Sequence, residues 1–247
     1  MSRYSRSADI SYSFGPGPMT PAVKWIVIAN IAAYLLTLVF SDIVYVFGLS
    51  PQEVIEHQRV WQPVTYMFLH RDLFHILFNM LGIWMFGVDL ERRWGTNYFL
   101  KYYAVTGVGA AVTTIVASLL PFSFSSAIYG VVTVGASGAL YGILLAYAIY
   151  YPNRPILMFL LFPVPAKYFV MIIGAIAFLS SIGGGASGIA HTAHLGGLIF
   201  GYFYLQNGRG GLSAEIKYRY LKWKMNRLRR KFDVYSGGRS DWDRNVH

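Results

Sequence analysis

The chain has 247 residues, of which 55% are hydrophobic and only 13% are charged. A soluble domain carries about 25% charged residues, and one core of this size could not hide the apolar excess, so the composition predicts a membrane protein. Cysteine is absent, which excludes disulfides, thiol nucleophiles and cysteine-based zinc sites, and 21 basic residues against 11 acidic ones give a net charge of +10.

The N-terminal segment, residues 1–21, is rich in serine and glycine. It lacks the apolar core and the cleavage site of a signal peptide. We expect a disordered cytoplasmic tail here, and a transit peptide is the alternative.

Six apolar stretches follow, each near the roughly 20 residues that a helix needs to cross a bilayer. Pro163 and Pro165 separate residues 156–162 from the fifth stretch, so we expect these residues to form a loop lying against the membrane. The fold class expected is an all-α membrane protein with six transmembrane helices. The predicted spans are residues 22–40, 73–88, 98–120, 133–151, 166–181 and 189–206.

Basic residues concentrate on one side of this six-span arrangement. The segment after Gln206 carries eleven of them, and Arg92, Arg93, Arg154 and Lys167 lie on the same side. The loops after spans three and five carry no charge. By the positive-inside rule, both termini are expected to be cytoplasmic.

Residues 207–247 form a basic C-terminal tail. Within it, Leu221, Met225, Leu228 and Phe232 recur at helical spacing, which indicates a basic amphipathic helix over residues 213–232. Such a helix either lies on anionic lipid or is exposed to water, and the sequence leaves both possibilities open.

Polar side chains at membrane depth carry a free-energy cost and mark a functional site by default. Ser137 lies between Gly135 and Gly138 at the start of span four, where backbone N–H groups lack intrahelical acceptors. His194 lies in span six and shares its helix face with Gly197 and Gly201. Helix packing is the alternative explanation for each of these features taken alone.

Close packing of spans four and six through glycines, including Gly142, would bring Ser137 and His194 within hydrogen-bond reach. Tyr141 is one turn after the serine and could then stack on the imidazole. Together these residues could supply a nucleophile and a base for acyl transfer.

His75 and Asn79 are four residues apart in span two, so both point to one face near its non-cytoplasmic end. They could bind a developing oxyanion, or they could form an interhelical hydrogen bond. A metal site built from the histidines would lack any carboxylate or cysteine ligand; those histidines are His70, His75, His191 and His194. We therefore expect no metal and no cofactor.

These motifs resemble those of the rhomboid family of intramembrane serine proteases. The family's Gly-x-Ser-Gly matches residues 135–138, its Ala-His-x-x-Gly matches residues 193–197, and its His-x-x-x-Asn matches residues 75–79. Glu91 to Gly95 resembles its Glu-x-x-x-Gly motif. The resemblance covers about residues 61–201.

Two further stretches of the chain bear on this resemblance. Residues 163–167 also look typical of the family. Trp61, in contrast, is followed by Gln62, where the family often carries arginine.

The resemblance implies a role for each residue of the site. Ser137 would be the nucleophile and His194 the general base, without a third acidic residue. The oxyanion hole would consist of His75, Asn79 and the backbone N–H of Ser137, and Tyr141 would support the histidine.

The resemblance also implies the setting of the protein. The protease domain would span residues 22–206 as the basic six-helix form, placed in a cell membrane, with the bacterial inner membrane as the first expectation. The substrates would be transmembrane segments of single-pass or multi-pass membrane proteins. Membrane lipid is the other expected partner, and nucleic acid is not expected.

The main alternative is a rhomboid-like protein that binds membrane clients without cutting them. Such proteins lose the serine or the histidine, or place a proline beside the serine, whereas position 136 is alanine here. A transporter or channel would show internal repeats with matching polar residues, and the sequence contains none.

Overall fold

The computed structural model describes residues 15–121, 125–158, 162–182, 188–207 and 212–229. The chain divides into two compact units, Met1–Tyr204 and Leu205–His247. Within the described residues, the secondary structure is a set of helices, one 3₁₀ turn (Tyr66–Phe68) and one β-hairpin. The helices are α1 (Pro21–Val39), α2 (Ile43–Phe47), α3 (Pro51–Glu56), α4 (Gln62–Thr65), α5 (Leu73–Trp94), α6 (Thr96–Ser118), α7 (Ser125–Tyr129), α8 (Ser137–Tyr150), α9 (Ala166–Ile182), α10 (Gly188–Asn207) and α11 (Leu212–Arg229), and the strands are β1 (Pro155–Met158) and β2 (Phe162–Pro165).

Three of the described helices, α1, α5 and α6, are long and apolar enough to cross a membrane. Helices α8 and α9 are apolar but shorter, with 14 and 17 residues. Large apolar side chains of α1, among them Leu35, Leu38 and Val39, are exposed, as expected for a helix whose outer face meets lipid. The fold is therefore that of a mostly helical membrane protein.

Helix α8 begins later than the sequence predicts for span four. The prediction placed the start at Thr133, but that residue instead pairs with Leu49 in an isolated β-bridge, with N···O distances of 2.8 and 2.9 Å. Gly135 has a φ of +127°, which breaks helical geometry. At 1.5 Å per residue, the 14-residue helix is about 21 Å long, shorter than the roughly 30 Å hydrocarbon layer.

The expectation of a loop at residues 156–162 is wrong for the residues that the structure describes there. Strands β1 and β2 pair antiparallel, with Ile156 opposite Val164. Pro163 and Pro165 lack N–H groups, so neither can donate a hydrogen bond to β1. The prolines precede the fifth apolar helix as expected, but they lie within β2 and not at the end of a loop. Residues 159–161 lie outside the described residues.

Glu91 anchors the start of α1 from a distant part of the chain. Its carboxylate accepts the backbone N–H groups of Ala22 and Val23 at 2.9 and 3.0 Å. It also accepts hydrogen bonds from the hydroxyls of Thr20 and of Thr96, the latter at 2.7 Å. A helix N-terminus presents unpaired donors and a partial positive charge, so this buried carboxylate satisfies α1 at the point where α5 ends.

Part of the segment expected to be a disordered tail contacts α5. The Trp84 indole donates to the carbonyl of Gly17 at 3.1 Å. The Arg92 guanidinium donates to the carbonyls of Pro16 and Pro18 at 2.6 and 3.2 Å. Residues 15–20 are therefore held against the helix, and residues 1–14 lie outside the described residues.

Gln62 holds the first loop in place. It occupies the position where the family that the sequence resembles often carries arginine. Its side chain is buried, accepts the N–H of Ser50 at 3.0 Å and donates to the carbonyl of Val46 at 3.3 Å. The indole of Trp61 donates to that same carbonyl at 3.0 Å. A neutral amide thus satisfies both a donor and an acceptor of the loop without placing a charge in its interior.

Candidate active site

Ser137 is the first residue of α8, and its position is fixed by the turn before it. Gly135 adopts its positive φ there and donates its N–H to the carbonyl of Tyr66 at 2.9 Å. As a residue of the first helical turn, Ser137 has no intrahelical acceptor for its own N–H. The hydroxyl and the N–H of one residue are therefore both available at this helix end.

His194 lies on α10, opposite the start of α8. Its Nε2 is 2.9 Å from Oγ of Ser137, within hydrogen-bond distance. The proximity that the sequence predicts for these two side chains is thus present, across 57 residues of chain.

Glycines allow α8 and α10 to approach this closely. A methyl group at Gly197 would overlap the carbonyl oxygen of Gly138. A methyl group at Gly201 would lie 2.6 Å from the Tyr102 hydroxyl oxygen and 3.3 Å from Cα of Gly142. These four glycines lie at helix contacts. A β-carbon at Gly138 or Gly142 would lie 2.5 Å from a side-chain atom of α6, so the glycines of α8 face α6 and those of α10 face α8.

The sequence also predicts close helix packing for Gly135, but this glycine serves a different contact. It precedes α8, and its nearest neighbour is the imidazole of His75. A methyl group there would lie 2.8 Å from Nε2 of His75 and 3.7 Å from Oγ of Ser137. The imidazole and the hydroxyl therefore flank the same glycine.

The ring of Tyr141 lies flat on the ring of His194. Their centroids are 4.0 Å apart and their planes differ by 6°. Nδ1 of His194 is buried and has no hydrogen-bond partner among the described residues. No carboxylate therefore holds this histidine within the part of the chain that the structure describes, and the tyrosine ring covers one face of the imidazole.

His191 lies one turn before His194, with ring centroids 5.7 Å apart in an edge-to-face arrangement. His70 makes a similar edge contact with His75, at 4.9 Å. Among the described residues, no three His, Asp or Glu side chains come together as metal ligands.

Asn79 lies one turn after His75 on α5, and it is buried. Its Nδ2 donates to the carbonyl of His75 at 2.8 Å. An amide nitrogen carries two hydrogens, so one remains for another acceptor. The structure brings His75 beside Ser137 and places Asn79 one helical turn farther along.

The imidazole of His75 has a neighbour at each ring nitrogen. Its Nδ1 lies 3.5 Å from the backbone N of Arg71, at the long end of the hydrogen-bond range. Its Nε2 is the atom beside Gly135, and the tautomer with the proton on Nε2 would make that atom a donor. Asp72 fixes the backbone here by accepting the N–H of His75 at 2.8 Å.

Tyr66 is the supporting residue that the sequence did not reveal. Its buried hydroxyl donates to the carbonyl of Gly107 on α6 at 2.7 Å, and its own carbonyl accepts the N–H of Gly135. Tyr66 thus ties the turn before Ser137 to a neighbouring helix. No pattern in the sequence marks it, because its partners are backbone groups 41 and 69 residues away.

These atoms could perform addition to a carbonyl group. The Ser137 hydroxyl can lose its proton to Nε2 of His194, and the N–H groups of His75, Asn79 and Ser137 can donate to an oxyanion. Removing one such donor from a serine protease costs about 2.7–4 kcal/mol of transition-state stabilisation.

Comparison with known proteins identifies the family of this arrangement. A family model described as a rhomboid domain matches residues 57–207. The rhomboid protease AarA of Providencia stuartii is 30% identical over 219 residues, which cover 80% of this chain and 75% of that protein. The rhomboid protease GlpG of Serratia proteamaculans is 30% identical over 186 residues, which cover 75% of this chain and 60% of that protein.

A third relative is a yeast protein. Rhomboid protein 1, mitochondrial, of Saccharomyces cerevisiae is 33% identical over 144 residues, which cover 56% of this chain and 38% of that protein.

Proposed function

The chain belongs to the rhomboid family, and from that membership we propose that it is an intramembrane serine endopeptidase that works through a dyad of Ser137 and His194. The observation that carries the proposal is the 2.9 Å contact between Nε2 of His194 and Oγ of Ser137. A hydroxyl and an imidazole at this distance can exchange a proton, which is the requirement for general-base catalysis.

In the proposed reaction, Nε2 of His194 takes the proton of Ser137 as Oγ bonds to the substrate carbonyl carbon. The resulting oxyanion accepts hydrogen bonds from His75 Nε2, Asn79 Nδ2 and the N–H of Ser137. His194 then returns the proton to the departing amine as the C–N bond breaks, leaving an acyl ester on the serine. A water molecule hydrolyses the ester with the same base, and Oγ regains its proton.

We propose transmembrane segments of other proteins as the substrates. A peptide bond inside a helix has its carbonyl hydrogen-bonded within the segment, and lipid offers no replacement partner. The substrate must therefore unwind locally before its carbonyl can reach Ser137, which favours segments that contain helix-breaking or small residues.

The proposed setting is a bacterial inner membrane. The protease domain would occupy residues 22–206 with six membrane-spanning segments, and both termini would be cytoplasmic. The supporting observation is the placement of basic residues such as Arg92 and Arg93 at the end of α5, where the positive-inside rule puts the cytoplasm. The basic tail, residues 207–247, would follow on that side.

Cleavage of a single-span reporter in reconstituted vesicles tests the proposal. We expect wild-type protein to cut the reporter, Ser137→Ala to abolish cleavage, and His194→Ala to lower the rate by about 10²–10⁴-fold. Ser181→Ala and His57→Ala are matched controls, because Ser181 bonds only to its own helix and His57 is exposed. Both controls should cut like wild type.

Two results would contradict the proposal. Cleavage by Ser137→Ala and His194→Ala at the wild-type rate would mean that another site or another protease cuts the reporter. Binding of membrane proteins without cleavage of any reporter by wild type would support the alternative, a member of the family that holds membrane clients without cutting them.

A further inference from the structure

An apolar groove lies between α8, α9 and α10, away from the dyad. Its volume is about 400 Å³. Its floor residue on α8, Leu145, is eight residues after Ser137, or roughly 12 Å farther along the helix. The groove is open at the side, because Met171 and Phe203 on its rim are 67% and 59% exposed. Its apolar lining includes Leu145, Val170, Met171, Leu198, Ile199 and Phe203.

Gly174 lines this groove and differs from the packing glycines of the dyad helices. A methyl group at Gly174 would meet a single atom, Cδ1 of Leu198, at the ordinary contact distance of 3.4 Å. Helix packing therefore does not require a glycine here, although glycine costs a helix roughly 1 kcal/mol relative to alanine. What the missing side chain does preserve is the open space of the groove.

The size of the groove selects a thin occupant. One turn of helix, 5.4 Å tall and 10–12 Å across with side chains, occupies roughly 400–600 Å³. An occupant that lies wholly within the groove is thus no larger than a single turn of a transmembrane helix. A hydrocarbon chain can extend along it, because every lining residue except Tyr202 is apolar or glycine.

Lys167 places a positive charge at one end of the groove. It lies four residues before Met171 and seven before Gly174, so all three share one stripe of α9. Its ammonium packs near the ring of Tyr168, 4.8 Å from the centroid, and no carboxylate of the described residues lies within 4.0 Å of it. The nearby Arg154, in contrast, is paired with Asp89 at 2.6 Å.

We propose that the groove binds one acyl chain of an anionic phospholipid whose phosphate pairs with Lys167. The chain would run along α9 past Gly174, and the headgroup would lie at the membrane face that also carries Arg92 and Arg93. The site is separate from the dyad, so the lipid is a bound structural ligand and takes no part in peptide cleavage.

Photo-crosslinking tests this site directly. The full-length protein would be reconstituted with phosphatidylglycerol that carries a diazirine in one acyl chain, irradiated and analysed by peptide mass spectrometry. We expect adducts on the peptides that contain Met171 and Ile199. Phosphatidylcholine with the same labelled chain should give about fivefold less adduct, the preference expected from one lysine near the headgroup.

Two pairs of variants test separately the space in the groove and the positive charge of Lys167. Gly174→Leu fills the groove and should remove the adducts, whereas Gly174→Ala adds only a methyl group at ordinary contact distance and should retain them. Lys167→Gln should keep the adducts but lose the preference for phosphatidylglycerol. Lys101→Gln, an exposed lysine on α6, should change neither.

Each contrary result overturns the proposal. Adducts spread evenly over lipid-facing peptides of α1 and α9 would indicate an ordinary lipid shell. Equal labelling by phosphatidylglycerol and phosphatidylcholine would contradict the proposed role of Lys167. Adducts between two copies of the protein, with no lipid adduct, would assign the groove to self-association. If Gly174→Leu fails to fold, Lys167→Gln and Gly174→Ala still decide the question.

Discussion

His194 is held on two of its sides, by the Ser137 hydroxyl at Nε2 and by the Tyr141 ring on its face. Rotation of the imidazole would break both contacts together, so the stack restricts the ring to the orientation that keeps Nε2 on the hydroxyl. Because Nδ1 has no partner among the described residues, we propose that the aromatic face orients the ring as a carboxylate does in a triad.

The stack predicts different effects for two substitutions of Tyr141. Tyr141→Leu removes an aromatic contact worth about 0.5–1.5 kcal/mol, so kcat for reporter cleavage should fall by roughly 2- to 12-fold. Tyr141→Phe keeps the ring and should retain the wild-type kcat. If phenylalanine lowers kcat as much as leucine does, the hydroxyl rather than the ring supports the histidine.

The burial of His70 predicts that the folded protein loses stability in acid. It lies in the loop before α5, where burial, with a smaller contribution from nearby His75, lowers its pKa to about 4. The unfolded chain binds a proton near the ordinary pKa of 6.5 while the folded chain does not. Stability that is full above pH 6.5 should therefore decline as the pH falls towards 4, by up to about 3 kcal/mol.

Thermal unfolding in detergent at pH 7.5 and at pH 5 measures this effect. His70→Phe should flatten the difference between the two midpoints, because the buried ring can no longer titrate. His57→Gln, at an exposed position, should leave the difference unchanged. An unaltered pH dependence in His70→Phe would assign the acid sensitivity to other groups.

At the scale of elements, the ends of helices are set by contacts from elsewhere in the chain. Glu91 at the end of α5 satisfies the start of α1, and the bridge between Thr133 and Leu49 holds the chain extended before α8. The two-helix contact at the dyad likewise depends on glycines from both partners. Each element is therefore defined jointly by its own sequence and by a distant residue.

Removal of the Glu91 carboxylate should destabilise the helix that it caps. Glu91→Ala leaves buried donors of α1 without an acceptor, at about 1–3 kcal/mol for each, so the midpoint of thermal unfolding should fall. Glu91→Gln retains one acceptor oxygen and should lie between alanine and wild type. Asp42→Ala is the control, because that carboxylate is exposed and does not cap the helix that follows it. Equal midpoints for all three variants would contradict the capping role.

The sequence predicts those elements whose determinants lie within the element itself. The length of one apolar stretch predicts a helix at residues 98–120, and the structure has it at Thr96–Ser118. The serine, histidine and tyrosine could be related because two share one helix and glycines mark the contact. The late start of α8, the hairpin and the role of Tyr66 depend on hydrogen bonds to distant backbone groups, which no periodicity records.

At the scale of the whole molecule, the apolar surface and the distribution of charge predict how the protein lies in its membrane. The proposed topology puts the loop after α1 outside and the turn between α5 and α6 in the cytoplasm. The chain has no cysteine, so any cysteine introduced is the only thiol.

Labelling of single cysteines in intact cells tests this topology. A membrane-impermeant maleimide should label His57→Cys in whole cells, and it should label Asn97→Cys only after lysis. Both positions are exposed, so accessibility within the protein does not limit the reaction. Labelling of both cysteines from outside, or of Asn97→Cys alone, would reject the orientation.

The glycine contact between α8 and α10 also limits which inherited changes the protein can tolerate. Every missense mutation of a glycine codon introduces a β-carbon, and at Gly197 that atom would overlap the carbonyl oxygen of Gly138. Any such mutation would push apart the helices that carry Ser137 and His194. The codon of a residue that has no reacting atom of its own therefore has no conservative neighbour, and natural selection should act on it as strictly as on the codons of the dyad.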